Sequence, residues 1–170
     1  MPELILILIA AASRLIPHDP NFTAVSAVAI YGAVKIKDKR LALLIPLAAM
    51  FLTDLAIGLH GGMWYVYTAF LVVSAIGFWI RSRLGFGRLV LGTLAASLSF
   101  FVITNFGVWL GGWYGSTAEG LAACYIAAIP FFRNQVSGDL FFTTLIFGAD
   151  FLISRLINRI KSRDIVKVQA

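Results

Sequence analysis

From Leu89 to Ala118 the chain reads LVLGTLAASLSFFVITNFGVWLGGWYGSTA, thirty residues without one ionised side chain. A helix needs roughly 18 to 20 apolar residues to cross the hydrocarbon core of a bilayer. The part from Leu89 to Leu110 is long enough, and the glycine pair Gly111-Gly112 ends it. A second run, Leu55 to Ile80, spans twenty-six residues whose only titratable imidazole is His60. These two stretches set the expected class: an all-α integral membrane protein, folded as a single transmembrane helical domain over residues 1–170, in which 162–170 reads as a flexible tail.

The remaining composition agrees. Of 170 residues, 60% are hydrophobic and 13% are charged, where a soluble domain carries about a quarter charged. The mean hydropathy is +0.90. A chain this small and this apolar leaves no room for a nucleotide-binding domain, and neither a P-loop nor a dinucleotide glycine fingerprint occurs in it. The single cysteine, Cys124, excludes an internal disulfide framework. The opening segment lacks a basic leader, so it reads as mature structure rather than a signal peptide.

Charged or turn-forming clusters divide the chain into apolar segments at Leu4–Ile16, Phe22–Val34, Leu41–Ile57, Met63–Ile80, Leu89–Leu110, Ala118–Phe132 and Asp139–Ile157. Twelve of the 14 Lys and Arg residues fall into three clusters: Lys35 to Arg40, Arg81 to Arg88, and the tail from Arg155. Cytoplasmic loops retain positive charge. The net charge of +6 therefore reads as orientation and lipid contact, with no nucleic-acid partner. If all three clusters lie inside, the number of crossings between Arg88 and Arg155 is even. Ala118–Phe132, bounded by Glu119 and Arg133, then becomes a short, partly inserted external helix. The expected plan is six crossings with both termini cytoplasmic, in a bacterial cytoplasmic (inner) membrane. The first two segments fit it as a hairpin. Alternatively they are halves of one broken helix, leaving five crossings and placing Pro17 to Asn21 near the membrane centre.

On the six-crossing plan the polar residues outside the basic clusters converge on the external face. Arg14, His18, Asp19 and Asn21 come from the first hairpin, Asp54 and His60 from the end of the third segment, and Asn105 from the fifth. Arg133 and Asn134, with Glu119 and Asp139, come from the last external stretch, and Trp109 and Tyr125 are among the aromatics beside them. A mostly apolar cavity with a few convergent polar groups is what a small-molecule site requires, although Trp and Tyr also gather at membrane interfaces whatever the function. An unpaired carboxylate inside the bilayer is costly, so Asp54 calls for a cation, and Arg14 is the nearest candidate. Asp150, deeper in the last segment, is expected to pair with Arg155.

Histidines 18 and 60 show no close ligand spacing, so no metal site and no cofactor are expected. No Ser-His or Cys-His set suggests catalysis, and the chain reads as a non-enzyme. The small residues Ala24, Ala27, Gly32 and especially Ala29 and Ala33 make one side of the second helix thin. That side suits a partner helix or close internal packing.

The stretches Arg14-Leu-Ile-Pro-His-Asp-Pro-Asn-Phe-Thr-Ala-Val-Ser-Ala-Val-Ala, Ala48-Ala-Met-Phe-Leu-Thr-Asp-Leu-Ala-Ile-Gly-Leu-His60, Thr104-Asn-Phe-Gly-Val-Trp109 and Gly120-Leu-Ala-Ala-Cys-Tyr-Ile-Ala-Ala-Ile-Pro-Phe-Phe-Arg-Asn134, with Gly138-Asp139, resemble a family of small uncharacterised bacterial membrane proteins described as candidate transport proteins. More loosely, the size, the six-helix plan and the alanine-rich early helix resemble the substrate-binding subunits of energy-coupling-factor vitamin transporters. That resemblance implies an external pocket for a vitamin-like nutrient, with Ala29 and Ala33 facing a transmembrane coupling subunit served by ATPases. The function expected is therefore substrate capture for uptake of a small organic nutrient. The alternative is a structural or assembly subunit of a larger membrane complex.

Overall fold

Asp38 caps the first long helix by accepting from the backbone N–H groups of Arg40 at 2.8 Å and Leu41 at 3.3 Å, so the helix begins two residues before the apolar run. The same logic sets the order of the whole chain in this computed structural model, which describes residues 2–59 and 61–168 and places side chains from Leu4 to Leu59 and from Gly61 to Ile160. Six helices follow one another: α1 (Pro2–Leu15), α2 (Val25–Lys35), α3 (Lys39–Ile57), α4 (Met63–Arg81), α5 (Phe86–Leu110) and α6 (Ala118–Val168). Among the described residues there is no strand.

Four helical stretches are long and apolar enough to cross a membrane: α3, α4, α5 and the Ala118–Ile160 part of α6. Helices α1 and α2 have 14 and 11 residues, about 21 and 17 Å of rise, which is short of a bilayer core. The expected six crossings are thus matched in length by four helices. Burial explains how the short ones fit. Val25 and Ala27 to Ile30 of α2 have no exposed surface, and neither has Ala33. Helix α2 touches all five others. Its alanines let the neighbours close in: a Cβ at Gly77 of α4 would stand 2.6 Å from the Ala33 Cβ and 3.2 Å from the Ile30 backbone.

Between the hairpin and the broken-helix readings of the first two segments, the contacts select the hairpin. Arg14 at the end of α1 reaches Asp54 near the end of α3, so α1 and α3 run the same way. Gly32, late in α2, lies 3.7 Å (from an added Cβ) from the Ala42 carbonyl early in α3, so α2 runs the opposite way. The connection between them turns through Asn21, the one non-glycine with a left-handed φ (65°) among the described residues. Asn pays less than most side chains for that conformation.

The loops after α2 and α4 meet at one end of the bundle. Arg81 Nη1 donates to the Ile36 carbonyl at 2.7 Å, and the Arg88 guanidinium lies 3.9 Å over the Trp79 ring. This basic end is opposite the Arg14 end. Between the two, polarity is inverted relative to a water-soluble domain. Thr53, Asp54, Ser97, Gln135 and Asp139 are buried, while Leu44, Phe51, Leu55, Leu91, Leu98 and Val102 face outward. Such a surface suits a solvent of lipid tails.

Two sequence expectations need correction. Arg133 to Gly138 is not a break, and Ala118–Phe132 is not a separate short helix: both belong to α6, one uninterrupted helix of 51 residues. No residue in Arg133–Ser137 is a helix breaker, and the Ser137 hydroxyl folds back onto the Arg133 and Asn134 carbonyls at 3.0 and 2.9 Å. Gly138 is needed for close approach rather than for a turn, since a Cβ there would meet the Phe22 backbone at 3.1 Å. Pro130 removes one backbone donor without ending the helix. The second correction concerns Asp150. It pairs with Lys35 at 2.7 Å and accepts from the Tyr31 hydroxyl at 2.9 Å, while Arg155 lies over the Phe151 ring at 4.8 Å. Arg155 is five residues on, a 500° turn that points it about 140° away from Asp150.

Candidate functional site

At the end opposite the basic loops a cavity of about 550 Å³ opens between the α1–α2 connection and helices α3 to α6. Its walls are mostly apolar: Met50, Ile57, Val66, Phe70, Phe100, Val108 and Phe131. Polar groups enter from several elements, with Arg14 and His18 from the first turn region, Asn105 from α5 and Gln135 from α6.

Arg14 is fixed by three acceptors on α3. Its Nη1 donates to Asp54 Oδ1 at 2.8 Å, to the Met50 carbonyl at 3.3 Å, and to Thr53 Oγ1. The second carboxylate oxygen of Asp54 accepts from the Tyr67 hydroxyl of α4 at 2.9 Å. Asp54 itself is 1% exposed, so it needs the full set of donors. These bonds run through one nitrogen of the guanidinium, and Arg14 remains part of the cavity wall. The group thus ties three helices together and gives the cavity one cationic edge.

Acceptors face that edge across the cavity. The Asn105 Nδ2 donates to the Phe101 carbonyl at 2.8 Å, and the Thr104 hydroxyl donates to the Phe100 carbonyl at 2.8 Å. Thr104 then keeps only its oxygen lone pairs, while Asn105 keeps its Oδ1 acceptor and the second N–H of its amide. A ligand carrying an anionic or carbonyl oxygen at one end and N–H or O–H donors at the other would meet complementary groups. His18 sits at the mouth, with Nδ1 2.6 Å from the Ile16 carbonyl.

The floor is formed by Ser26 and Gln135, and both also reach a carboxyl immediately behind it. Asp139, 1% exposed, bonds Ser97 Oγ at 2.7 Å, with the polar side chains of Ser26 and Gln135 beside it. The Gln135 amide lies 3.4 Å from the Ser97 carbonyl. No Lys, Arg or His pairs with Asp139 among the described residues.

Of the residues singled out from sequence, Arg14, His18, Asn21 and Asn105 line the cavity, and Asp54 stands directly behind Arg14. Asp19, Trp109, Tyr125, Arg133 and Asn134 are not in the lining. Trp109 stacks near Phe106, with ring centroids 5.5 Å apart, and the Tyr125 hydroxyl bonds the Val102 carbonyl at 2.7 Å, stapling α6 to α5. The unbroken α6 explains Arg133 and Asn134. Cys124, Ala128, Phe131 and Gln135 recur at helical spacing on the cavity side, and Arg133 and Asn134, which lie between Phe131 and Gln135, point elsewhere. His60 lies outside the described residues. Ala29 and Ala33 are wholly buried, with Gly77 of α4 against Ala33, so the thin side of α2 is filled by this chain.

The polar lining residues that sequence reasoning missed are Thr23, Ser26 and Gln135. A usable signal existed for Gln135, which precedes Asp139 by four residues and therefore shares its helix face. Treating Arg133 to Gly138 as a loop concealed it. Cys124 is buried in the wall, with Sγ 3.4 Å from the Asn105 carbonyl.

Over residues 2–160 the chain matches the profile of a family of unknown function (DUF6580) and belongs to that family. Neither the curated proteins nor the solved structures contain a significant match to it.

Proposed function

We propose that this member of the family is a membrane-embedded substrate-capture subunit that binds a small organic nutrient, such as a vitamin, in the cavity between α1 and α6. The observation that carries the reading is the cavity itself. It measures about 550 Å³ and has a cationic edge at Arg14, acceptors at Thr104 and Asn105, and otherwise apolar walls. Sites for small molecules have this size and this balance of greasy walls and few polar groups. The basic loops gather at the other end, so the positive-inside rule supports a cavity mouth on the outer face of a bacterial cytoplasmic membrane and cytoplasmic termini. Energy for uptake would come from partners, a transmembrane coupling subunit with ATPases, as the resemblance to energy-coupling-factor substrate-binding subunits implies.

A direct test is purification in lipid nanodiscs followed by native mass spectrometry and a binding screen over a vitamin panel. Ligand binding that is lost on Ala128→Phe, which fills the cavity, with the melting profile kept, is the expected result. No co-purified ligand and no binding across the panel would sink the reading.

A specific feature supports the second reading, a structural or assembly subunit of a larger complex. Residues 151–160 of α6 are exposed throughout, and Leu152, Ile153, Leu156, Ile157 and Ile160 fall on one face. Pull-down in native lipids separates the two readings. Recovery of ATPase and coupling subunits supports substrate capture, and recovery of a respiratory or envelope complex supports assembly.

A further inference from the structure

We propose that Asp139 is a proton-binding site placed under the cavity floor, and that its protonation is linked to the cavity through Gln135 and Ser26. The inference goes beyond ligand capture and does not require that a ligand be found.

The argument starts from hydrogen counting. Ser97 Oγ is 3.0 Å from the Thr93 carbonyl and 2.7 Å from Asp139 Oδ2. Both distances are ordinary for O–H···O bonds. Yet a serine hydroxyl owns one hydrogen, and neither a carbonyl nor a carboxylate can supply a second. A hydroxyl can share its hydrogen between two carbonyls of its own turn, as Ser137 does, but the Ser97 contact to Asp139 crosses between helices at 2.7 Å, and both bonds are full ones when Asp139 contributes the missing hydrogen. Its Oδ2–H then donates to Ser97 Oγ, while the serine hydrogen goes to Thr93.

Electrostatics points the same way. Asp139 is as buried as Asp54 but has hydroxyls and an amide around it where Asp54 has Arg14. An isolated carboxylate among apolar helices is expensive, and intramembrane carboxyls without a cation are recurrent proton carriers. The elements packed on this stretch of α6 are α5 and α2. They present Ser97 and Ser26 to the carboxyl, and no titratable group from either reaches it. The nearest charged pair on the same helix is Asp150 with Lys35, eleven residues on, or about 16 Å along the axis.

Loss of the proton redistributes these bonds without moving a helix. The proton leaves to water on the cavity side, and the electron pair stays on Asp139. The Ser97 hydrogen then turns from Thr93 to the carboxylate, and the Gln135 amide leaves the Ser97 carbonyl to bond the charge. Gln135 lines the cavity, so its reorientation changes what the cavity floor presents. Towards the basic end, Thr143 continues the same helix face as Gln135 and Asp139. Its buried hydroxyl has no partner among the described residues, which leaves a polar step on the way to Tyr31, Lys35 and Asp150.

Infrared difference spectroscopy on the full chain in nanodiscs tests this, with protons as the probe. At neutral pH the wild type should show the carbonyl stretch of a protonated carboxylic acid, and Asp139→Asn should lack it. Because that variant could misfold, Ser97→Ala provides a second reading: the band should remain and move to higher frequency as it loses a hydrogen bond. Gln135→Ala and Ser26→Ala should each shift the pH at which the band disappears by about one unit, the scale of a lost hydrogen bond to a carboxyl. A band unaffected by Asp139→Asn and Ser97→Ala would overturn the proposal. So would a band removed by sodium ions at constant pH, which would make the site a metal-cation site. An unchanged titration in both floor variants would overturn the link to the cavity.

Discussion

Asp54 and Asp139 have the same burial, 1% each, and opposite surroundings. Asp54 receives Arg14, and Tyr67 completes it. Asp139 receives Ser97, with Ser26 and Gln135 beside it, and among the described residues no charge. The first is a clamp in which each member depends on the other. The second is a carboxyl whose neighbours can serve it with or without a proton. Burial alone therefore says little about what an intramembrane acid does, and the partner decides.

The contrast is easiest to break by making the same chemical change at both places. Asp54→Asn should strand the Arg14 guanidinium, and Arg14→Gln should strand Asp54, each costing about 3 to 5 kcal/mol, the usual penalty for a half-removed buried pair. Detergent melting curves at neutral pH would show it, and loss of a cooperative transition is an acceptable extreme. The double variant should fall short of the sum by about 1 to 3 kcal/mol; strict additivity would mean that the two are not partners.

Tyr67→Phe sharpens the comparison, because it removes one donor from Asp54 and leaves the cation. About 1 to 2 kcal/mol is expected from a lost bond to a charged group, read in the same assay. Asp139→Asn should cost less than about 1 kcal/mol, since an amide can still meet the two serines and Gln135. Equal losses for Asp54→Asn and Asp139→Asn would erase the distinction between the sites. Smallest of all should be Asp150→Asn. Its ion pair with Lys35 has side-chain exposures of 27% and 38%, and exposed pairs are worth about 0 to 1 kcal/mol.

The two carboxyls were not equally legible in sequence. Asp54 stood in an otherwise apolar segment with one cation, Arg14, on the same side before Arg133, so cost and topology together named its partner. Asp139 sat beside Arg133, Asn134 and Gly138, a polar cluster that looks like a loop. Whether such a cluster is helical depends on the packing of Gly138 against Phe22 and of Gln135 against α5, which are contacts between distant parts of the chain. The same reason explains Asp150: local spacing favoured Arg155, whereas Lys35 is brought by α2 from across the bundle. Helix positions followed from apolar runs. The cavity lining did not, because it depends on how α6 is rotated about its axis.

The central place of α2 has a consequence for biosynthesis. Its Tyr31 meets Asp150 across 119 residues of chain, so at about 5 to 20 residues per second the nascent protein holds α2 for roughly 6 to 24 s before α6 arrives to cover it. In that interval Lys35 lacks its acid. Helix α2, too short to span a bilayer alone, depends on α1, α3 and then α4 for shelter. Chains stopped before α6 would carry this uncovered helix permanently, a defect that membrane quality-control proteases can recognise.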